Sequence, residues 1–141
     1  MASTEYVAYH SVEVMGRDYK TTGKSFSFWS GKTKTYLEKS IGSNVWVITG
    51  KRDGKKVMIY RLAAVYTPDA VSEDGDGYLI TGSHGHVFTR PLELNALPWF
   101  VVLLKEQNRF SFGFSRIQSA EVIAELNALL EADQKRKSIP L

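Results

Sequence analysis

The sequence predicts an α+β fold: a mostly antiparallel, curled sheet or pseudo-barrel, short helices and a C-terminal amphipathic helix. Three observations predict it. Several short stretches alternate apolar and polar residues, the mark of strands with one buried face. Two β-branched and aromatic runs, Val45-Trp46-Val47-Ile48 and Val57-Met58-Ile59-Tyr60, flank Asp53-Gly54, a dipeptide favoured in hairpins because its second residue takes a positive φ. Beyond Ser119 the apolar spacing becomes helical and stays so to the basic end of the chain.

In order along the chain, residues 6–15 read as a strand, with Tyr6, Ala8, His10, Val12 and Val14 on one face. Residues 25–30 alternate strictly, Phe26 and Phe28 pointing one way and Trp29 the other. Residues 32–40 read as a short helix, capped by Ser30 and stopped at Gly42. The hairpin of residues 44–67 follows, ending at Pro68. Residues 78–81 and 86–88 are expected strands on either side of a Gly82-Ser83-His84-Gly85 turn, and Asp74-Gly75-Asp76-Gly77 is an expected loop tip. Pro98 suits a first helical turn, which favours a short helix within 97–107. Residues 109–117 alternate through Phe110, Phe112 and Phe114. Ser119 caps the last helix, whose stripe is Val122, Ile123, Leu126, Leu129 and Leu130. The expectation is one domain over 1–141, with a core of 6–115 and the C-terminal helix at 118–134.

Composition narrows the class. The 141 residues are 43% hydrophobic and 23% charged, values of an ordinary globular domain rather than a disordered chain or a coiled coil. The longest uninterrupted apolar run, residues 99–104, is far short of the roughly 20 residues that a membrane helix needs. The first residues lack the basic-then-apolar layout of a signal peptide. No cysteine is present, which removes disulfides, thiolate metal sites and a Cys nucleophile, and fits a cytoplasmic location. No membrane partner is expected.

The net charge is +3, but its distribution is uneven. Residues 17–39 carry Arg17, Lys20, Lys24, Lys32, Lys34 and Lys39 against Asp18 and Glu38; residues 51–61 carry Lys51, Arg52, Lys55, Lys56 and Arg61 against Asp53. Such a half is suited to phosphates, and equally to solvent. Aromatic residues interleave with it. Most must be core, but Trp29 falls opposite Phe28 at a strand end, just before Ser30-Gly31-Lys32. A tryptophan so placed can pack in the core or at its rim, or it can stack a base while the lysine holds a phosphate.

Catalytic motifs fail one by one. Gly31-Lys32-Thr33 lacks the earlier glycine of a phosphate loop, since position 26 is Phe. His84 and His86 lie two apart on a strand, but no spacing names a third metal ligand. The acidic loop does not match a calcium site, and there is no Gly-x-Ser-x-Gly elbow. No catalytic residue, metal or cofactor is expected.

The order of an aromatic strand end (Phe28-Trp29), a short helix, then Gly42-Ser43-Asn44-Val45-Trp46-Val47-Ile48 and a long hairpin partner resembles the PUA-like superfamily, which includes the EVE, ASCH, YTH and SRA domains. The resemblance covers roughly residues 6–115 and rests on element order. It implies a pseudo-barrel that reads nucleic acid, DNA more than RNA, by holding a modified or flipped base, as in the sensing part of a modification-dependent restriction system with a fused or associated nuclease. It places the base pocket at Trp29 and Ser30, with Trp46 or Tyr60 as a second wall and Ser83 and His84 on the base edge. The phosphate contacts would then be Lys32, Lys34, Lys51 and Arg52. The alternative reading is a protein-interaction or accessory domain that binds no nucleic acid, with Leu97–Phe100 and the last helix as its surface.

Overall fold

The computed structural model describes residues 4–16, 19, 25–54 and 57–138. Arg17, Lys20, Lys24, Lys55 and Lys56 of the two basic segments lie outside these. The described elements follow the order β1 (Tyr6–Ser11), α1 (Val12–Met15), β2 (Phe26–Ser30), α2 (Lys34–Glu38), β3 (Val45–Arg52), β4 (Met58–Thr67), β5 (Ala70–Asp74), β6 (Gly77–Gly82), β7 (His84–Glu93), α3 (Phe100–Glu106), β8 (Phe114–Arg116) and α4 (Ala120–Ser138).

They form three layers. A five-stranded sheet, β7-β4-β3-β1-β8, lies in the middle, and a three-stranded antiparallel sheet, β2-β6-β5, covers one of its faces. Between these sheets pack Tyr6, Ala8, Phe26, Val45, Val47, Ala64, Tyr66, Ile80 and Phe114. Helices α3 and α4 cover the other face, over Val7, Trp46, Ile48, Leu62, Val65, Phe88, Leu103, Val122 and Leu126. This arrangement explains why Val45-Trp46-Val47-Ile48 is apolar throughout. A strand buried on both faces has no polar side to present.

The sheet is mixed rather than wholly antiparallel, because β1 pairs in parallel with β3, from Tyr6↔Val45 to Ser11↔Gly50. In β4 the pairing shifts at Ala63 against both neighbours. That bulge adds one residue, so Tyr60 and Leu62 face the helices and Val65, despite its odd spacing, faces them too.

The two sheets do not close into the expected pseudo-barrel. The chain steps between them at Ser83, from β6 in one sheet to β7 in the other, so Gly82-Ser83-His84-Gly85 is a corner between sheets rather than a hairpin turn. On the far side β2 pairs with β6 and not with β1, which leaves the sheets apart there.

Other expectations are corrected locally. The first strand stops at Ser11, whose hydroxyl accepts the Val14 N–H and opens one helical turn that ends on Gly16 at φ 74°. The cap of α2 is Thr33, not Ser30. Gly54 stands outside the left-handed region, and the β3–β4 connection closes by Asp53 N–H to Val57 O at 3.0 Å, a longer loop than the two-residue turn expected. Gly75-Asp76 is a two-residue hairpin connection, joining β6 to the unforeseen edge strand β5. Residues 109–113 are no strand. Asn108, Arg109 and Phe110 take φ of 48°, 53° and 64°, a left-handed turn after α3. Each such residue costs about 1–2 kcal/mol. Burial of Phe110, stacked on Tyr9 at 4.9 Å, offsets part of that cost. The helices expected within 97–107 and 118–134 are present, the latter starting on the Ser119 hydroxyl.

Candidate ligand-binding cleft

Where the two sheets fail to meet, a cleft of about 1010 Å³ opens. One wall is β2 and the turn after it, Ser27 to Lys32; the other is the end of β1 with α1, and the segment Phe112-Gly113-Phe114. Tyr19 and His10 lie between them, with rings 5.7 Å apart and edge to face.

The cleft concentrates exposed apolar surface. Of the nine large apolar side chains that stand exposed among the described residues, four line it: Val14, Met15, Trp29 and Phe112. Contiguous patches of this kind mark binding surfaces. Trp29, 41% exposed, is held in place. Its Nε1–H donates to the Asp74 carbonyl at 3.0 Å, and its ring lies so close over Gly77 that a Cβ there would stand 2.3 Å from Cζ2. The Lys32 ammonium is held too, 5.9 Å from the centroids of both Phe112 and Tyr36.

The backbone of β2 also faces the cleft. Residues 27–30 all line it, although their side chains alternate, so the strand presents its edge. Among the described residues no strand pairs with its outer edge, since β2 ends the sheet order. The Tyr19 hydroxyl donates to the Ser27 carbonyl at 2.9 Å, which directs the Ser27 carbonyl away from β6. In an antiparallel ladder alternate residues bond to the same side, so the N–H and C=O of Trp29 point into the cleft as well. Burial pushes the Tyr19 phenol up to about 12, which keeps this donor protonated at neutral pH.

Of the residues named from sequence, the structure brings Trp29, Ser30 and Lys32 together here. Ser30 is buried, and its hydroxyl accepts the Lys32 N–H at 3.1 Å. The start of α2 is engaged likewise, the Thr33 hydroxyl taking the Tyr36 N–H. Four pocket assignments are corrected. Trp46 is fully buried against the helices and donates Nε1–H to the Glu5 carboxylate at 2.8 Å, so it walls nothing. Tyr60 faces the same core, packed on Phe100 and Phe110, because its position on β4 turns it to the helices. Ser83 and His84 stand at the corner between the sheets, Ser83 bonded to Asp69 and His84 in a smaller recess beside α4. His86 lines that recess too and pairs with the buried Asp133 at 2.6 Å, and the described residues hold no group of three metal-ligating side chains.

The basic residues disperse. Lys34 starts α2, Lys51 is exposed at the end of β3, and Arg52 pairs with Glu13 at 3.6 Å; none lines the cleft. Sequence reasoning missed Tyr19, Asp74 and Phe112. The alternation of 109–117 signalled Phe112 only as a strand residue, and nothing local pointed to the other two. Comparison of the chain with family models, with curated proteins and with solved structures yields no match.

Proposed function

We propose that this chain is a binding module that captures an extended peptide segment in the cleft by adding a strand to β2. The observation that carries the reading is the outer edge of β2, where no described strand pairs: Tyr19 takes the Ser27 carbonyl, and the Trp29 main-chain groups are directed into an apolar cleft. An added strand gains main-chain hydrogen bonds of about 0.5–1.5 kcal/mol each and places alternate side chains on Trp29 and Phe112. The basic segments are secondary here, because the surface that lines the cleft is mostly apolar.

A second reading is favoured by one specific observation, the presence of Trp29 and Lys32 in the same cleft. It is the reading the PUA-like resemblance implies: a nucleic-acid module in which an extruded or modified base stacks on Trp29 and its phosphate meets Lys32.

Substitution at Ser27 separates the two. Its N–H faces the cleft, so Ser27→Pro removes an edge donor while sparing the ladder to β6. Peptide binding should fall at least about 10-fold in Ser27→Pro, two lost or strained hydrogen bonds being worth roughly that factor. Base stacking on Trp29 should survive it and be lost in Trp29→Ala. Binding that withstands Ser27→Pro would exclude strand addition.

A further inference from the structure

We propose that the chain has a second site, sharing no residue with the cleft: His84 and His86 together hold one divalent transition-metal ion of the imidazole-preferring set, Zn²⁺, Ni²⁺ or Cu²⁺. Both histidines line the recess beside Leu130 and Gln134 of α4. The β7 ladder is regular here, with His84 opposite Thr67 and His86 opposite Val65. Two residues apart on such a strand, their side chains leave on the same side from backbone positions roughly 7 Å apart. Rings so rooted can lean onto one ion, about 2.1 Å from each ligating nitrogen.

The hydrogen bonds of the two rings carry the inference further. His86 Nε2 lies 2.6 Å from a carboxylate oxygen of Asp133, a buried residue on α4. With its Nε2–H donated there, the neutral ring keeps its lone pair on Nδ1. His84 is set in the opposite sense. The Ser83 hydroxyl donates to Asp69 at 3.3 Å, so its oxygen is the acceptor towards His84 Nδ1 at 3.2 Å, and the lone pair falls on Nε2. Each imidazole thus has one nitrogen fixed through a chain that ends on a carboxylate and one nitrogen left to bind. That is how proteins orient a metal-ligating histidine and raise its basicity. The described residues bring no third His, Cys, Asp or Glu, so water and the Gln134 amide of the same recess complete the coordination and the ion is exchangeable.

The test titrates the whole chain, free of any affinity tag, with Zn²⁺ while ¹⁵N NMR follows the ring nitrogens of the three histidines. One equivalent should shift His84 Nε2 and His86 Nδ1 and leave His10, which lines the cleft, in place. By calorimetry Cu²⁺ should bind more tightly than Ni²⁺ or Zn²⁺. His84→Ala, which removes an exposed side chain, should abolish the one-to-one binding with the fold intact. Asp133→Asn retains both ligands and should weaken binding about 10- to 100-fold; should that variant unfold, Ser83→Ala carries the same expectation at an exposed position. Zn²⁺ that shifts one histidine or none, or binding that survives His84→Ala, would overturn the site and leave the two hydrogen bonds as fastenings of the fold. Affinity unchanged in folded Asp133→Asn and in Ser83→Ala would overturn the part given to the two carboxylates.

Discussion

The two sheets treat the same residue type in opposite ways. On the helical face Trp46 is fully buried, with its indole N–H on a buried carboxylate, Glu5, which also accepts from Asn44 at 3.2 Å and from Asn127 of α4 at 3.3 Å. On the three-stranded sheet Trp29, which alternates away from Phe26 and Phe28, is also tethered, by its N–H to Asp74, yet it stays 41% exposed at the cleft. The difference lies in what covers each face. Two helices cover Trp46, whereas Trp29 sits on the edge strand of the three-stranded sheet, on the side turned away from the core between the sheets. A satisfied indole is thus compatible with either a core or a site, and coverage decides between them.

The comparison can be broken most sharply at Trp46. Trp46→Ala should cost about 4 kcal/mol in denaturant unfolding, from the lost burial and from the acceptor left on Glu5. A loss below about 1 kcal/mol would mean that the helical face is not the stabilising one. Glu5→Ala should cost about 3 kcal/mol by the same measurement, since it strips an acceptor from Trp46, Asn44 and Asn127 together. Within the cleft, Gly77→Ala is expected to cost about 1–3 kcal/mol and to shift Trp29 emission, because the new Cβ would meet the indole at 2.3 Å and the Ser30 carbonyl at 2.6 Å. An unchanged emission spectrum would show that the indole is not seated as described.

Alkaline pH probes both faces at once. Burial raises Tyr9 and Tyr19 to about 12 and pushes Tyr66 up still further, its hydroxyl on the Ile80 carbonyl at 2.8 Å. The unfolded chain gives up phenolic protons from about pH 10, whereas the native chain retains these. Stability is therefore complete below pH 10 and falls as pH rises from there towards 12. Ultraviolet titration of tyrosinate should show these phenols ionising late; ionisation of all seven near pH 10 would contradict their burial. The smallest effect belongs to Trp29→Ala, which should lower stability by about 1 kcal/mol or less, as expected where a side chain leaves a half-open surface.

Much of the fold was legible because local chemistry and global fold agree. The apolar run of β3 and the stripe of α4 name their own elements, and Ser119 names the start of the last helix. Three features were not legible. Val12–Met15 alternates like a strand but turns helical, because the Ser11 hydroxyl captures the Val14 N–H. Phe110-Ser111-Phe112 alternates too, yet a left-handed turn sends Phe110 into the core and leaves Phe112 45% exposed. The Ala63 bulge cannot be seen from spacing alone, and it decides that Tyr60 faces the helices. For the site, position at a strand end beside Lys32 was enough to single out Trp29. The same kind of argument misplaced Trp46, Tyr60, Ser83 and His84, because it knew residue types but not which face each strand turns to which layer.

By itself, then, the sequence determined the α+β class, the apolar run of β3, the last helix and the place of a tryptophan at a strand end before Lys32, since each depends on periodicity or on neighbours within a few residues. Only the tertiary structure decided that β1 runs parallel to β3, that the sheets stay open beside β2, and that Tyr19, Trp29, Lys32, Asp74 and Phe112 meet in one cleft. Those outcomes depend on which strand edges pair across long stretches of chain, and pairing is a property of the packed layers rather than of any local pattern.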